Sequence, residues 1–135
     1  MINETAARWD ELARACESCT RCALGATKTK TVFGGGSLTA DLMFVGEAPG
    51  EQEDLSGIPF VGRAGQLFDK FLTAVDIKRE DVYITNILKC RPPHNRDPLP
   101  AEQDECMNYL REQVRLIKPR LIVCLGRISA MRLIK

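Results

Sequence analysis

Three short apolar runs constrain this chain more than any other feature: DLMFVG at 41–46, DVYITNI at 81–87 and RLIVCLG at 120–126. Each is bounded by turn-forming or polar residues, and each predicts a short buried strand. Helical patterns lie between them. Residues 63–75 place Leu67, Phe68, Phe71, Leu72 and Val75 on one helical face. Beyond Pro100, which suits a first helical position, Cys106, Leu110, Val114 and Ile117 form a stripe that Pro119 stops. A short helix is expected over 4–15, where Ala7, Leu12 and Ala15 follow helical spacing with Trp9 nearby, and another begins at 127–134. Strands alternating with helices imply parallel units joined by right-handed crossovers. The expected fold is α/β: a three-layer α/β/α arrangement around a central parallel sheet.

In such sheets ligands bind beyond the carboxyl ends of the strands. Here those ends carry Gly46-Glu47-Ala48-Pro49-Gly50, Asn86 and Gly126. The stretch 46–62, rich in Gly, Pro and acid, reads as one long functional loop. Residues 16–40 read as loop with a short extended piece at 31–33. Pro92, Pro93 and Pro98 exclude regular structure from 88–99.

A length of 135 residues suits one domain, 1–135, and 44% apolar residues suit an ordinary buried core. No apolar run approaches the ~18 residues of a membrane span, and no signal peptide is visible. The expected location is the cytoplasm. The net charge of +1 neither announces nor excludes a nucleic acid. The balance hides a separation, however. Asp41, Glu47, Glu51, Glu53 and Asp54 are the only charges between 41 and 60, whereas seven cations and one acid follow Cys106. Such a basic end suits either a solvated helix face or a phosphate-binding flank beside an acidic pocket.

The cysteines run Cys16-x2-Cys19-x2-Cys22, then Cys90-x15-Cys106, then Cys124. Disulfides are rare in the cytosol, so the tight run and the distant pair suggest metal or cluster ligands. A zinc ribbon more often shows a second close pair. A four-iron cluster tolerates one ligand on a loop and one on the following helix. Spacing alone leaves iron and zinc open, and equally Cys16 and Cys22. Cys124, inside an apolar run, suits core packing.

The motifs GEAPG-x2-ED, GIPFVGRAGQL and YITNILKCRPP-x-NR, in this order, resemble the family 4 uracil-DNA glycosylases, the thermostable-type iron–sulfur branch of their superfamily. The resemblance runs from about Cys19 to Ile134. The wider family includes glycosylase-like domains attached to phage polymerase sequences. The resemblance implies a DNA repair hydrolase that excises uracil from DNA, single- or double-stranded, by cleaving the N-glycosidic bond. It implies a structural 4Fe-4S cluster. The family's CxxCxL form falls on Cys19 to Leu24, so Cys19 and Cys22 become ligands together with Cys90 and Cys106, and Cys16 is a spare. The turn Gly46, Glu47, Ala48 and Pro49 would bind the base, with backbone amides on a uracil carbonyl. Phe60 would stack on it, and Asn86 would read its Watson–Crick edge.

That chemistry suits these residue types. The leaving group is a uracil anion, which backbone N–H groups at a glycine-rich turn can stabilise without a proton. An asparagine amide offers an acceptor to N3–H and a donor to O4, whereas cytosine reverses both positions. Carboxylates at Glu47, Glu53 and Asp54 could support the cationic sugar. In the branch with a GQDPYH-type motif an aspartate positions water two residues after the first glycine. Ala48 stands there here, so Glu53 and Asn95 are the expected catalytic residues. The family's important histidine belongs to a later motif, which makes His94 a loop or phosphate-side residue.

The family is typically longer, and its last strand and later histidine motif are expected to be missing from this chain. A sheet ending on 120–126 would expose an apolar edge, so marginal stability or self-association is expected. Two alternatives compete with the enzyme: a non-catalytic iron–sulfur DNA-binding module, or inactive fragment, using Lys89, Arg91, Arg96 and the basic end, and a zinc-stabilised binding domain.

Overall fold

The three apolar runs pair side by side. In the computed structural model, which describes residues 4–19 and 24–134, they form β2 (Leu42–Gly46), β3 (Tyr83–Asn86) and β4 (Leu121–Cys124). β2 lies between the other two and is parallel to both. A further two-residue strand, β1 (Gly35–Gly36), pairs antiparallel with the outer side of β3, so the sheet order is β1-β3-β2-β4. The sheet is therefore mixed: the expected parallel core carries an antiparallel edge. The extended piece expected at 31–33 forms instead at 35–36. At Gly36, φ is +127° and a Cβ would stand 1.9 Å from the Val82 carbonyl oxygen, so only glycine fits.

The helices are α1 (Glu4–Glu17), α2 (Leu24–Thr27), α3 (Glu51–Ser56), α4 (Arg63–Ala74), α5 (Pro100–Ile117) and α6 (Arg127–Leu133). α5 starts at Pro100 as expected and ends where Lys118 turns left-handed, at φ +56°, just before Pro119. The stretch 46–62 is not loop throughout. It contains α3, opened by Gly50 and closed by left-handed Gly57.

Successive strand residues point to opposite faces, and this sorts the core into two halves. Met43, Val45 and Tyr83 pack with Trp9 of α1 and with Met107, Leu110 and Ile117 of α5. Phe44 and Ile84 pack on the other face with Phe68 and Leu72 of α4. Those are the three layers. β4 is covered least: Leu121 is 59% exposed and Ile122 37%. Among the described residues no helix is long and apolar enough to cross a membrane.

Candidate active site

Parallel pairing of β2 with β3 sets Gly46 directly beside Asn86 at the carboxyl end of both strands. The absent side chain at Gly46 is what brings the site together. A Cβ there would lie 2.4 Å from the Phe60 ring and 2.5 Å from Asn86 Oδ1. The ring of Phe60 and the amide of Asn86 thus approach each other across a bare backbone. Asn86 is 2% exposed.

Phe60 sits in the left-handed region, at φ +53°. This is a costly conformation for a residue with a Cβ, and it persists only where surroundings enforce it. Three features do so. Arg79 Nη1 donates to the Phe60 carbonyl oxygen at 2.8 Å, and Nη2 donates to that of Pro59. Asp69 pairs with the same guanidinium at 2.9 Å. Gly65, in the first turn of α4, leaves room for the Phe60 backbone, whose carbonyl oxygen would stand 2.0 Å from a Cβ. The Phe60 ring then leans on Phe68, with centroids 5.4 Å apart.

Two of the acids after the glycine turn, Glu53 and Asp54, accept backbone hydrogen bonds. Glu53 Oε1 accepts from the Gly50 N–H at 2.9 Å, and Oε2 accepts from Val61 at 2.9 Å and Gly62 at 2.6 Å. Buried Asp54 accepts from the amides of Thr29 and Lys30. Glu53 thereby draws the two arms of the loop together around a cavity of about 110 Å³. Ala48, Glu53, Phe60, Gly62 and Asn86 line it, together with Arg63, Ala64 and Gly65 at the start of α4. The first N–H groups of a helix have no partner within it, so this end offers donors to a carbonyl or anion. The contribution of α4 was missed in the sequence, although the glycine before the helical stripe at 63–75 was its signal.

Of the expected site residues, Ala48, Glu53, Phe60 and Asn86 meet at the cavity, with Gly46 behind them. Pro49 is buried and Glu47 half-buried, and neither is on the cavity wall. The Glu47 carboxyl is pushed above its ordinary range by burial first and by nearby Asp97 second, with Arg127 opposing. Asn95 is also off the cavity wall, on an exposed 3-10 turn over Pro93–Asn95, where its Oδ1 accepts from Arg91 Nε at 2.8 Å. His94 occupies the same turn and is exposed.

Behind the site lie the thiols. Cys90 and Cys106 are buried and pack together with Leu24 and Leu88. Cys16 is 1% exposed. Burial pushes its thiol up to about 12; Lys89 opposes the rise, and Cys106, Cys90 and Cys19 add to it. Cys19 is half-buried, and Cys22 lies outside the described residues. Among the described residues no three His, Cys, Asp or Glu side chains are grouped closely enough to hold a metal ion. The donor chemistry nonetheless fits one: soft thiols, buried, on a loop and on the helix after it.

A small cavity between a glycine turn, an aromatic ring and a strand-end amide, at the carboxyl edge of parallel strands, defines an α/β protein with a candidate ligand site at its strand ends. Residues 33–135 match the Uracil DNA glycosylase superfamily, and the chain belongs to that superfamily. It is 54% identical to a type-4 uracil-DNA glycosylase of Archaeoglobus fulgidus over 121 residues, covering 90% of this chain and 61% of the relative. It is 51% identical to one of Thermotoga maritima over 110 residues, covering 82% and 57%. A DNA polymerase of Bacillus phage SP01 is 36% identical over 107 residues, covering 78% of this chain and 12% of the polymerase. The chain thus spans about three fifths of the length of the two glycosylases.

Proposed function

We propose that this chain excises uracil from DNA by hydrolysing the bond between base and sugar. The observation that carries the reading is the meeting of Asn86 and Phe60 across the bare backbone of Gly46 at the cavity. A uracil flipped out of its strand would stack on Phe60 and pair its N3–H and O4 with the Asn86 amide. As the bond breaks, negative charge grows on the carbonyl oxygens of the base. Backbone N–H groups of Glu47 and Ala48 and of the start of α4 are the donors that would stabilise it. Glu53 would serve in two ways: as the tie that closes the loop through Gly50, Val61 and Gly62, and as fixed negative charge beside the cationic sugar. Asn95 would act from the exposed turn where Arg91 holds it, orienting water.

Cys19, Cys22, Cys90 and Cys106 would hold a four-iron cluster, with buried Cys16 beside them. The cluster would be structural, joining the amino-terminal segment to the loop and helix over 90–106. The partner is uracil-containing DNA.

Uracil release from a single-stranded uracil oligonucleotide, against a thymine control, tests the reading in this 135-residue chain purified without air. Release from the uracil strand alone is expected. Asn86→Ala should slow it about a hundredfold or more, the usual cost of removing one fixed donor in such a site. Unchanged release in both Asn86→Ala and Phe60→Ala would remove the pocket assignment.

A further inference from the structure

Among the described residues, five other than glycine adopt the left-handed region: Phe60, Asp76, His94, Asn95 and Lys118. Aspartate, asparagine and histidine are its usual occupants, and Lys118 closes a helix there. Phe60 is the exception by residue type, and of the five it alone lies on the cavity wall. Backbone strain of this kind persists only where the surroundings over-determine it, and it gathers at ligand sites.

The chain at Phe60 is gripped by opposite charges on its two sides. On the carbonyl side is half-buried Arg79, the first residue of a 3-10 turn over Arg79–Asp81 that leads into β3. One guanidinium nitrogen donates to the Phe60 oxygen at 2.8 Å, and the other donates to the Pro59 oxygen. On the amide side is Glu53, whose Oε2 accepts from Val61 at 2.9 Å and from Gly62 at 2.6 Å. Asp69 of α4 accepts at 2.9 Å from the same Arg79 nitrogen that holds Phe60, and so aims the fork. A planar guanidinium presents two donors at a fixed spacing, which suits two successive carbonyls.

The backbone conformation decides where the ring goes. The ring tip and Asn86 Oδ1 share the space beside Gly46. A return of residue 60 to negative φ would swing its Cβ away and take the ring off Gly46 and off Phe68. Arg79 is itself off the cavity wall, so its effect on a bound base runs through Phe60.

We propose that Arg79 is a positioning residue for base recognition: it holds Phe60 left-handed, so that the ring lies beside the Asn86 amide where a flipped uracil would stack. The inference rests on the reading that the cavity takes uracil. It deepens that reading by giving a cation outside the cavity a share in the stacking.

The test is a double-mutant cycle in this 135-residue chain. Wild type, Arg79→Ala, Phe60→Ala and the double variant are compared, with Arg79→Lys and Arg79→Gln beside them. Circular dichroism and melting temperature confirm folding on the same samples. Two quantities are read. The first is uracil release from a single-stranded uracil oligonucleotide. The second is the affinity for that strand carrying one 2′-fluoro-2′-deoxyuridine, divided by the affinity for a thymine strand. The fluorine disfavours the cationic sugar, so the bond persists and base recognition is read without chemistry. Arg79→Ala should slow release about a hundredfold, as a small misplacement at a reaction site does. It should lower the preference for the uracil strand as Phe60→Ala does. Once the ring is gone, Arg79→Ala should slow release by less than about threefold more, because residues that act as one unit do not add. Arg79→Lys should recover part of the loss, since an ammonium still donates to one carbonyl, and Arg79→Gln should recover less.

A merely structural role would slow release by the same factor with and without the ring, and that result overturns the proposal. Wild-type release and preference in folded Arg79→Ala overturn it as well. If Arg79→Ala does not fold, Arg79→Gln carries the cycle. If release by Phe60→Ala is too slow to follow, the strand preference carries it. A wild type that neither releases uracil nor prefers the uracil strand would instead overturn the uracil reading, and the inference with it.

Discussion

At the scale of single residues, the site depends on what Gly46 lacks. Phe60 and Asn86 both occupy space that any Cβ at 46 would claim. Gly46→Ala is therefore expected to push the ring and the amide apart and to abolish most uracil release. The strand itself should persist, because alanine is compatible with an extended backbone. Far-ultraviolet circular dichroism and a release assay on the same sample check this, and normal release from a folded Gly46→Ala protein would contradict it. Glu53 gives the complementary case. Its three amide bonds tie Gly50 to Val61 and Gly62. Hydrogen bonds to a charged group contribute about 1.5–3 kcal/mol each, but losses at one residue do not add in full. Glu53→Ala should thus cost about 2–4 kcal/mol in a denaturant titration. Glu53→Gln should cost less, since one carbonyl oxygen still accepts. Equal stability of all three proteins would show that the loop stands without the tie.

At the scale of elements, the start of α5 shows how a short sequence fixes both a boundary and a pH response. Glu102 sits three residues past Leu99 and accepts its N–H at 2.9 Å, satisfying a donor at the helix start. Arg96 grips the same carboxylate with two bonds of 2.8 Å. The hydrogen bond from Arg96 is the main cause that holds Glu102 below the ordinary 4.5, with the Leu99 amide helping and burial opposing. A depressed carboxyl contributes stability above its unfolded value and loses it as pH falls through the lower native one. The melting temperature of wild type minus that of Arg96→Ala should therefore be positive near neutrality. It should shrink toward zero as the pH is taken below about 4.5. A constant difference across that range would rule the pair out as the source.

The same scale shows what the sequence made legible. β2, β3 and α5 follow from apolar spacing because each buries a continuous stripe or face. α4 forms where its stripe predicts, but it buries only Phe68 and Leu72 of that stripe and leaves Leu67, Phe71 and Val75 exposed. α3 hides in a stretch whose glycines and proline suggest loop. Its signal was Gly50 followed three residues later by Glu53, with Gly57 as the stop, a capping pattern without the usual serine or threonine. β1 offers no such signal, since two glycines carry no side chains to alternate. In the site, Asn86, Phe60 and Ala48 follow from motif and strand end together. Arg79 does not: it acts from nineteen residues beyond Phe60, through a backbone carbonyl, and no spacing rule reports a clamp of that kind.

At the scale of the whole molecule, the coverage of the sheet is uneven. β2 and β3 are buried on both faces, whereas β4 is an edge strand with Leu121 and Ile122 exposed. Met131 and Ile134, at 69% and 66% exposure, lie in or just beyond α6, which follows β4. An uncovered apolar edge strand offers unpaired N–H and C=O groups to any other chain. The 135-residue chain is therefore expected to self-associate as its concentration rises, through β4, and sedimentation velocity over a hundredfold concentration range is the direct measurement. Leu121→Lys with Ile122→Lys should raise the monomer fraction, because edge charges oppose strand addition. These two residues lie away from the cavity at the other strand ends, so uracil release should change far less than association. A monodisperse monomer with a cooperative melt above ~65 °C would contradict the expectation, since typical mesophile domains unfold at or below that temperature. The edge would then need a cover within the chain itself, and hydrogen exchange at the β4 amides that do not face β2 would show it: slow exchange there means the outer edge is paired, fast exchange that it is bare.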